Sequence, residues 1–333
     1  MKLFFALLQF FFIPLCLVAQ NDNINDFKPS GKTFGKIFSN FHTGLSDADK
    51  SSAFEITRAY FGYSYNMSKD FSATVKLDIG SPEDASPYSL LRRYAYFKVA
   101  SLNYNKDALF VSFGLIELHH FQMQEKFWGH RYIYKSFQDE HKFGSSADIG
   151  LCLKYQLTDN ISFDGSIING EGYKRLQSDD TYKGTFGVTF NLANNLFTRI
   201  YYDLTIKSET QATYSGFLGY KIKKKYSLGI EYAYKYNNDF NCDNHKYGYS
   251  IYGDYFLNDK LEIFGRYDML NSNKIDNEDC PWNLEKDGSA IIGGIQYSPI
   301  ENVKIALNYQ DWYPLAKNED NLSYIFVNVE FSF

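Results

Sequence analysis

The chain has 333 residues, 44% of them hydrophobic, yet beyond its N-terminus it nowhere supplies the roughly 20 consecutive apolar residues a spanning helix needs, which excludes a helical transporter. Aromatic residues reach 19%, with 29 Tyr and 30 Phe against 4 Met and 7 Pro, a mixture that suits strands. Lys and Arg number 34 against 39 acids, a net charge of −5, so there is no global basic footprint and nucleic acid is not expected as a partner.

Residues 1–19 read as a signal peptide: Lys2, an apolar core from Leu3 to Val18, and a small Ala19 at the cleavage position. Pro14 and the lack of a basic stop-transfer cluster argue against a retained anchor. Leu15 stands where a lipidation site needs a small residue, so Cys16 is expected to leave with the peptide. Residues 20–333 then form one domain carrying Cys152, Cys242 and Cys280.

That domain repeats one design, a stretch of about ten residues alternating apolar and polar, followed by a turn. In the stretch from Phe71, the residues Phe71, Ala73, Val75, Leu77 and Ile79 share one face, and Ser72, Thr74, Lys76 and Asp78 the other. The last segment repeats it, with Ile325, Val327, Val329, Phe331 and Phe333 against Asn328, Glu330 and Ser332. Strands are predicted at 34–44, 54–66, 71–80, 90–102, 108–117, 146–157, 161–170, 182–192, 196–207, 212–222, 226–236, 246–257, 261–270, 288–299, 303–313 and 322–333.

The links alternate in length. Those after even strands are short (67–70, 103–107, 158–160, 193–195, 223–225, 258–260, 300–302), and those after odd strands longer (45–53, 81–89, 118–145, 171–181, 237–245, 271–287, 314–321), with 208–211 blurring the rule. Short turns at one end and long loops at the other mark a transmembrane barrel, not a secreted sandwich. Strands in hydrocarbon must pair both edges, which forces closure. The expected fold is therefore an all-β transmembrane antiparallel barrel of about sixteen strands, lipid outside and water inside. Tyr63, Tyr65, Tyr155, Tyr226, Tyr232, Tyr234, Tyr236, Tyr247, Tyr249 and Tyr297 fall near strand ends, where interfacial girdles form.

Alternation turns Arg58, Lys76, Arg92, Lys98, Lys154, Lys183, Arg199, Lys221, Lys235 and Arg266 inward. Asp78, Asp148, Asp164, Asp203, Glu231, Asp254, Glu262, Asp268 and Glu330 face the same space, so the lumen is mixed in sign and local placement sets selectivity. Wall-to-wall ion pairing is the plain alternative for any one of them. The longest loop, 118–145, is expected to fold into the pore, where Glu117, His119, His120, Glu125, His130, Arg131 and His141 are constriction candidates. Imidazoles titrate near neutral pH and would suit a gate, whereas their spacing matches no metal-ligand pattern, so no metal or cofactor is expected. Cys242 and Cys280 fall in the sixth and seventh outer loops, where a disulfide is permitted.

The segment FGSSADIGLCLKYQLTDNISFDGSIINGEGY, with Asp148-Ile149-Gly150 opening one strand and Asn169-Gly170-Glu171-Gly172-Tyr173 closing the next, resembles the porin O/P (phosphate-selective porin) family. The stretch FWGHRYIYKSFQDE before it resembles the matching segment of related Bacteroidetes-type porins, and terminal Phe333 resembles the insertion signal read by the barrel-assembly machinery. The resemblance implies a sixteen-stranded outer-membrane channel, a homotrimer, passing small hydrophilic or anionic solutes. An arginine ladder like that of phosphate-selective members is not traceable here. Two other functions are weighed beside a porin: a plugged barrel acting as adhesin or anchor, and a barrel lipase or protease, for which no G-x-S-x-G signature is present.

Overall fold

The computed structural model describes residues 27–80 and 95–333; the segment 1–19 read as a signal peptide and Arg92 lie outside the described residues. Sixteen strands close into one antiparallel barrel. They are β1 (Ser30–Gly44), β2 (Ser52–Asn66), β3 (Phe71–Ile79), β4 (Ala95–Lys106), β5 (Leu109–Glu117), β6 (Ala147–Thr158), β7 (Ile161–Ile168) and β8 (Lys183–Ala193), then β9 (Leu196–Ile206), β10 (Thr210–Ile222), β11 (Tyr226–Tyr236), β12 (Lys246–Phe256), β13 (Leu261–Ser272), β14 (Gly288–Ile300), β15 (Val303–Pro314) and β16 (Leu322–Ser332). Each strand pairs with its neighbours in sequence, and β1 closes on β16 with Ile37 opposite Phe331 and Phe41 opposite Val327. Among the described residues every strand has a neighbour on both sides, as a bilayer requires.

The burial pattern is inverted relative to a soluble protein. Phe54, Phe97, Phe113, Ile200, Leu228 and Leu307 stand exposed on the outer wall, while Asp78, Asp203, Glu231 and Asp268 are buried inside. A surface of that kind is stable only against hydrocarbon. Outward Tyr202, Tyr214, Tyr234 and Tyr247 form a ring-to-ring row, with successive centroids 4.9, 6.5 and 6.2 Å apart, near the ends of β9 to β12 that carry the loops. That is an aromatic girdle at one interface.

One expected strand ends later than its sequence suggests. The reading of 90–102 runs on to Lys106, because Asn103 and Asn105 are lumen-side strand residues and not turn residues, and its expected first residues, 90–94, lie outside the described residues. Asn103 Oδ1 accepts bonds from the Ser101 and Ser112 hydroxyls at 3.2 and 2.7 Å. The turn is tighter, closed by Asp107 at φ 52°, in the left-handed region that Asp tolerates. A bulge opposite Lys76 and Leu77 breaks the period of β4 as well.

The connection from β5 to β6 carries two short helices, α1 (Gln122–Trp128) and α2 (Phe137–Glu140). It lies inside the barrel against inward-facing side chains of β9 to β16, and its Phe127, Trp128, Tyr132 and Ile133 build a core with Phe38, Phe217, Tyr252, Phe264 and Ile292. The main apolar core of this protein is therefore the contact between loop and wall.

Candidate functional site: the loop-lined lumen

A backbone that is neither helix nor strand must find other partners for its carbonyls when it is buried. Here the wall supplies cations. Arg199 Nε donates to the His120 carbonyl at 3.2 Å, Lys221 to Lys126 at 3.4 Å, and Lys304 to Gly129 at 3.3 Å. Arg266 Nη1 donates to Lys135 at 2.7 Å, Lys246 to His141 at 2.8 Å, and Lys235 to Lys142 at 3.2 Å. Ser227 and Tyr252 hydroxyls add bonds to Phe127 and Gln124 at 3.1 Å each. The loop is thus fastened at regular intervals along half the circumference.

Two of the expected pore-lining arginines are consequently anchors. Arg266 forks onto Asp268 (2.8 and 2.6 Å) and lies over the Trp128 and Tyr134 rings at 5.0 and 5.2 Å, with no exposed side-chain surface. Arg199 forks onto Asp164, and beside it His120 stacks on Tyr201 at 3.8 Å, whose hydroxyl donates to Asp203 at 3.1 Å. Alternation gave the side these residues face, and the loop takes the space in front of them.

Asp148 is a clamp. Its carboxylate accepts the backbone N–H of Ile149 at 2.7 Å, Gly170 at 2.9 Å and Gly172 at 3.0 Å. Gly170 and Gly172 have φ +97° and +79°, a conformation glycine adopts without strain. The Asp148 and Asn169–Tyr173 motifs therefore act together to turn the β7–β8 loop back over the β6 strand end. Tyr173 then reaches across to donate to Asp78 at 2.6 Å, and Arg58 pairs with the same carboxylate at 3.5 Å. Lys76 pairs with Glu117 at 2.5 Å, Lys98 donates to Ser146 at 3.0 Å, and both ammonium groups sit 5.3 Å from the Tyr60 ring centre. Lys154 faces inward and stays partly exposed.

The loop's own candidates divide. Glu125 and Arg131 pair with each other at 3.5 Å, and Arg131 also holds Asp139 at 3.0 Å. His119 bonds Gln122 at 3.1 Å. His130 is buried between the Trp128 carbonyl (2.6 Å), Asp254 (3.6 Å) and Glu262 (3.3 Å), so it tethers the loop instead of lining an opening. Burial pushes the His119 and His120 imidazoles below their ordinary range, His120 strongly, and pushes His141 down to about 4. Among the described residues no group of three or more His, Cys, Asp or Glu is arranged to hold a metal. Cys242 and Cys280 are both exposed free thiols, so the disulfide that their loop positions permit is not formed here, and Cys152 is buried and free.

At the end of the long loops a cavity of about 710 Å³ remains. Nine Lys and Arg side chains line it, Arg58, Lys183, Lys207 and Lys235 among them, against three acids, Asp139, Glu171 and Asp239. Lower on the wall, Lys36 and Lys304 flank Glu330 at 3.7 and 3.6 Å and keep water contact. Lys36, Lys246 and Lys304 were missed in the sequence, although each belongs to the polar phase of its strand.

Residues 146–311 match the family model described as "Putative beta-barrel porin-2, OmpL-like". No curated protein matches the chain. Among solved structures the chain is similar to OmpF of Salmonella typhi in complex with daunomycin, at 12% identity and a TM-score of 0.68, covering 91% of this chain and 97% of that one. The outer membrane channel DcaP of Acinetobacter baumannii gives 12% identity and 0.68 over 94% and 100%. A trimer form of in-vitro-folded OmpT of Vibrio cholerae gives 12% and 0.58 over 92% and 99%. At such identities these likenesses speak to the fold. The family match runs from β6 into β15, just under half of the chain, and is to a porin family other than porin O/P, while the structural likenesses show a β-barrel fold shared with outer-membrane channels.

Proposed function

We propose that the protein is an outer-membrane porin through which small hydrophilic solutes or ions diffuse passively. The observation that carries this reading is the β5–β6 loop tied inside the barrel by six wall cations of β9 to β13 and β15, a placement that supports a narrowed lumen. The basic lining of the 710 Å³ vestibule supports a bias toward anions, since a mouth of one charge sign concentrates its counter-ions. Preference for phosphate is not part of the reading.

The β1 and β16 outer faces would meet lipid or a second and third copy, and the trimer form of one structural neighbour supports a homotrimer. The closing strand ending at Phe333 is the segment offered to the assembly machinery, and residues 1–19 are the export signal. Reversal potentials of the reconstituted protein in a salt gradient test the bias: an anion-positive shift is expected, and a cation preference would reject it. A plugged barrel acting as anchor or adhesin is the second reading, favoured by the buried loop core around Trp128. It predicts no conductance.

A further inference from the structure

A second cavity, of about 470 Å³, opens at the same end of the barrel between α2 and the loops 237–245 and 273–287. Two of the chain's three tryptophans, Trp282 and Trp312, line it together with Tyr134. Its charge is balanced, three lysines against three acids, in contrast to the basic vestibule beside it.

The aromatic walls are fixed before any ligand arrives. Trp282 donates its indole N–H to the His245 carbonyl at 2.9 Å, and the Lys274–Pro281 bridge closes its loop. Trp312 packs on Phe137, Phe143 and Leu270, with the His141 ring 5.8 Å away, and it lies so close over Gly288 that a Cβ there would sit 2.9 Å from the indole. Both rings stay half-buried, leaving surface toward the cavity.

The polar side of the cavity is equally built. Asn238 is 5% exposed, its amide nitrogen is spent on Asp239 at 2.9 Å, and its carbonyl Oδ1 has no partner among the described residues. The backbone around it holds left-handed conformations at Asn237, Asp239, Phe240 and Asp243, each at a cost that surrounding contacts must sustain. His141 Nε2 is likewise buried without a partner.

We propose that this cavity binds a neutral saccharide of two or three units. Aromatic faces carry a negative quadrupole that attracts the weakly positive C–H face of a pyranose ring. Planar amides and carboxylates such as Asn238, Asn283 and Glu285 offer the acceptors and donors that neighbouring hydroxyls require. Balanced charge removes any preference for an anion. The inference names a solute class for the channel proposed above and so rests on that reading, but binding in detergent is read separately from conductance.

The test is tryptophan fluorescence of the refolded barrel, titrated with maltotriose, cellotriose and chitotriose, with citrate as an anionic control. Trp128 is fully buried and supplies a constant background, so a change reports Trp282 or Trp312. Saturable quenching by at least one trisaccharide, weakened about ten-fold in Trp282→Ala and in Asn238→Ala, is expected from the loss of one stacked ring or one buried acceptor. Heat-modifiable migration shows that each variant has folded. No saturable change with any trisaccharide, an unaltered response in both variants, or saturation by citrate alone would each overturn the proposal. Binding without conductance would keep the saccharide site and reject the channel.

Discussion

The Arg199 guanidinium grips the Asp164 carboxylate with two parallel bonds, Nη1 to Oδ2 at 2.6 Å and Nη2 to Oδ1 at 2.9 Å, directly over Gly187 of the strand between them. A Cβ at Gly187 would stand 2.3 Å from Nη2 and 2.9 Å from Oδ1, so the pair exists because that position has no side chain. The third guanidinium nitrogen holds the loop at the His120 carbonyl. One residue without a side chain thus positions the pair, and the pair positions the loop.

Removing one partner strands the other as a buried charge. Arg199→Met is expected to destabilise the barrel by about 3–5 kcal/mol, and adding Asp164→Asn should recover part of that loss. Gly187→Val should mimic the single change. Urea unfolding followed by gel migration checks this; a double variant no better than Arg199→Met would contradict the assignment.

Acid should loosen the loop. His141 is pushed down to about 4 from 6.5, first by burial and then by Arg266, Lys246 and Lys135, with Asp268 opposing; His120 is lowered by burial, then by Lys183, Arg199 and Lys235. Both are neutral when packed and take up protons readily only when released. The stabilisation is therefore complete above 6.5 and is lost as pH falls toward 4. Protease cleavage within 118–146 should rise between about pH 7 and pH 5, and should rise less in His120→Gln/His141→Gln. Cleavage that is independent of pH would contradict this.

The Asp148 clamp predicts a defect confined to the loop end. Asp148→Ala leaves three backbone N–H groups without their acceptor, at a cost of roughly 1–3 kcal/mol for each that water cannot reach. Proteolysis near residues 169–182 should accelerate while the barrel's gel shift is retained. Asp148→Asn should fall between the two, because its Oδ1 still accepts.

Maleimide should label two thiols in the folded protein, Cys242 and Cys280, and reach Cys152 only after unfolding. No labelling before reduction and two labels after it would restore the bridge that their loop positions suggested.

The barrel was legible because lipid outside and water inside impose a period of two on every strand, and short turns alternate with long loops. The inward phase of Arg199, Arg266, Asp164 and Asp268 follows from that period alone. What they bind does not, since a loop distant in sequence occupies the space before them. The longer C-terminal end of β4 shows the other limit: Asn103 and Asn105 have turn-forming chemistry and are spent on the polar lumen. Asp148 and the glycines near residue 170 were visible as a motif, but only the fold shows that the carboxylate receives those glycine amides. Trp282 and Asn238 belong to loops with no period, so their meeting at one cavity had no sequence signal.

The most direct test of the channel assignment is single-channel conductance of the refolded protein in a planar bilayer, alongside a variant lacking residues 121–140. Stable open steps, larger in the deletion because the lumen then loses its buried loop core, are predicted. Silence from a folded full-length barrel, or equal conductance in both, would contradict a pore narrowed by this loop.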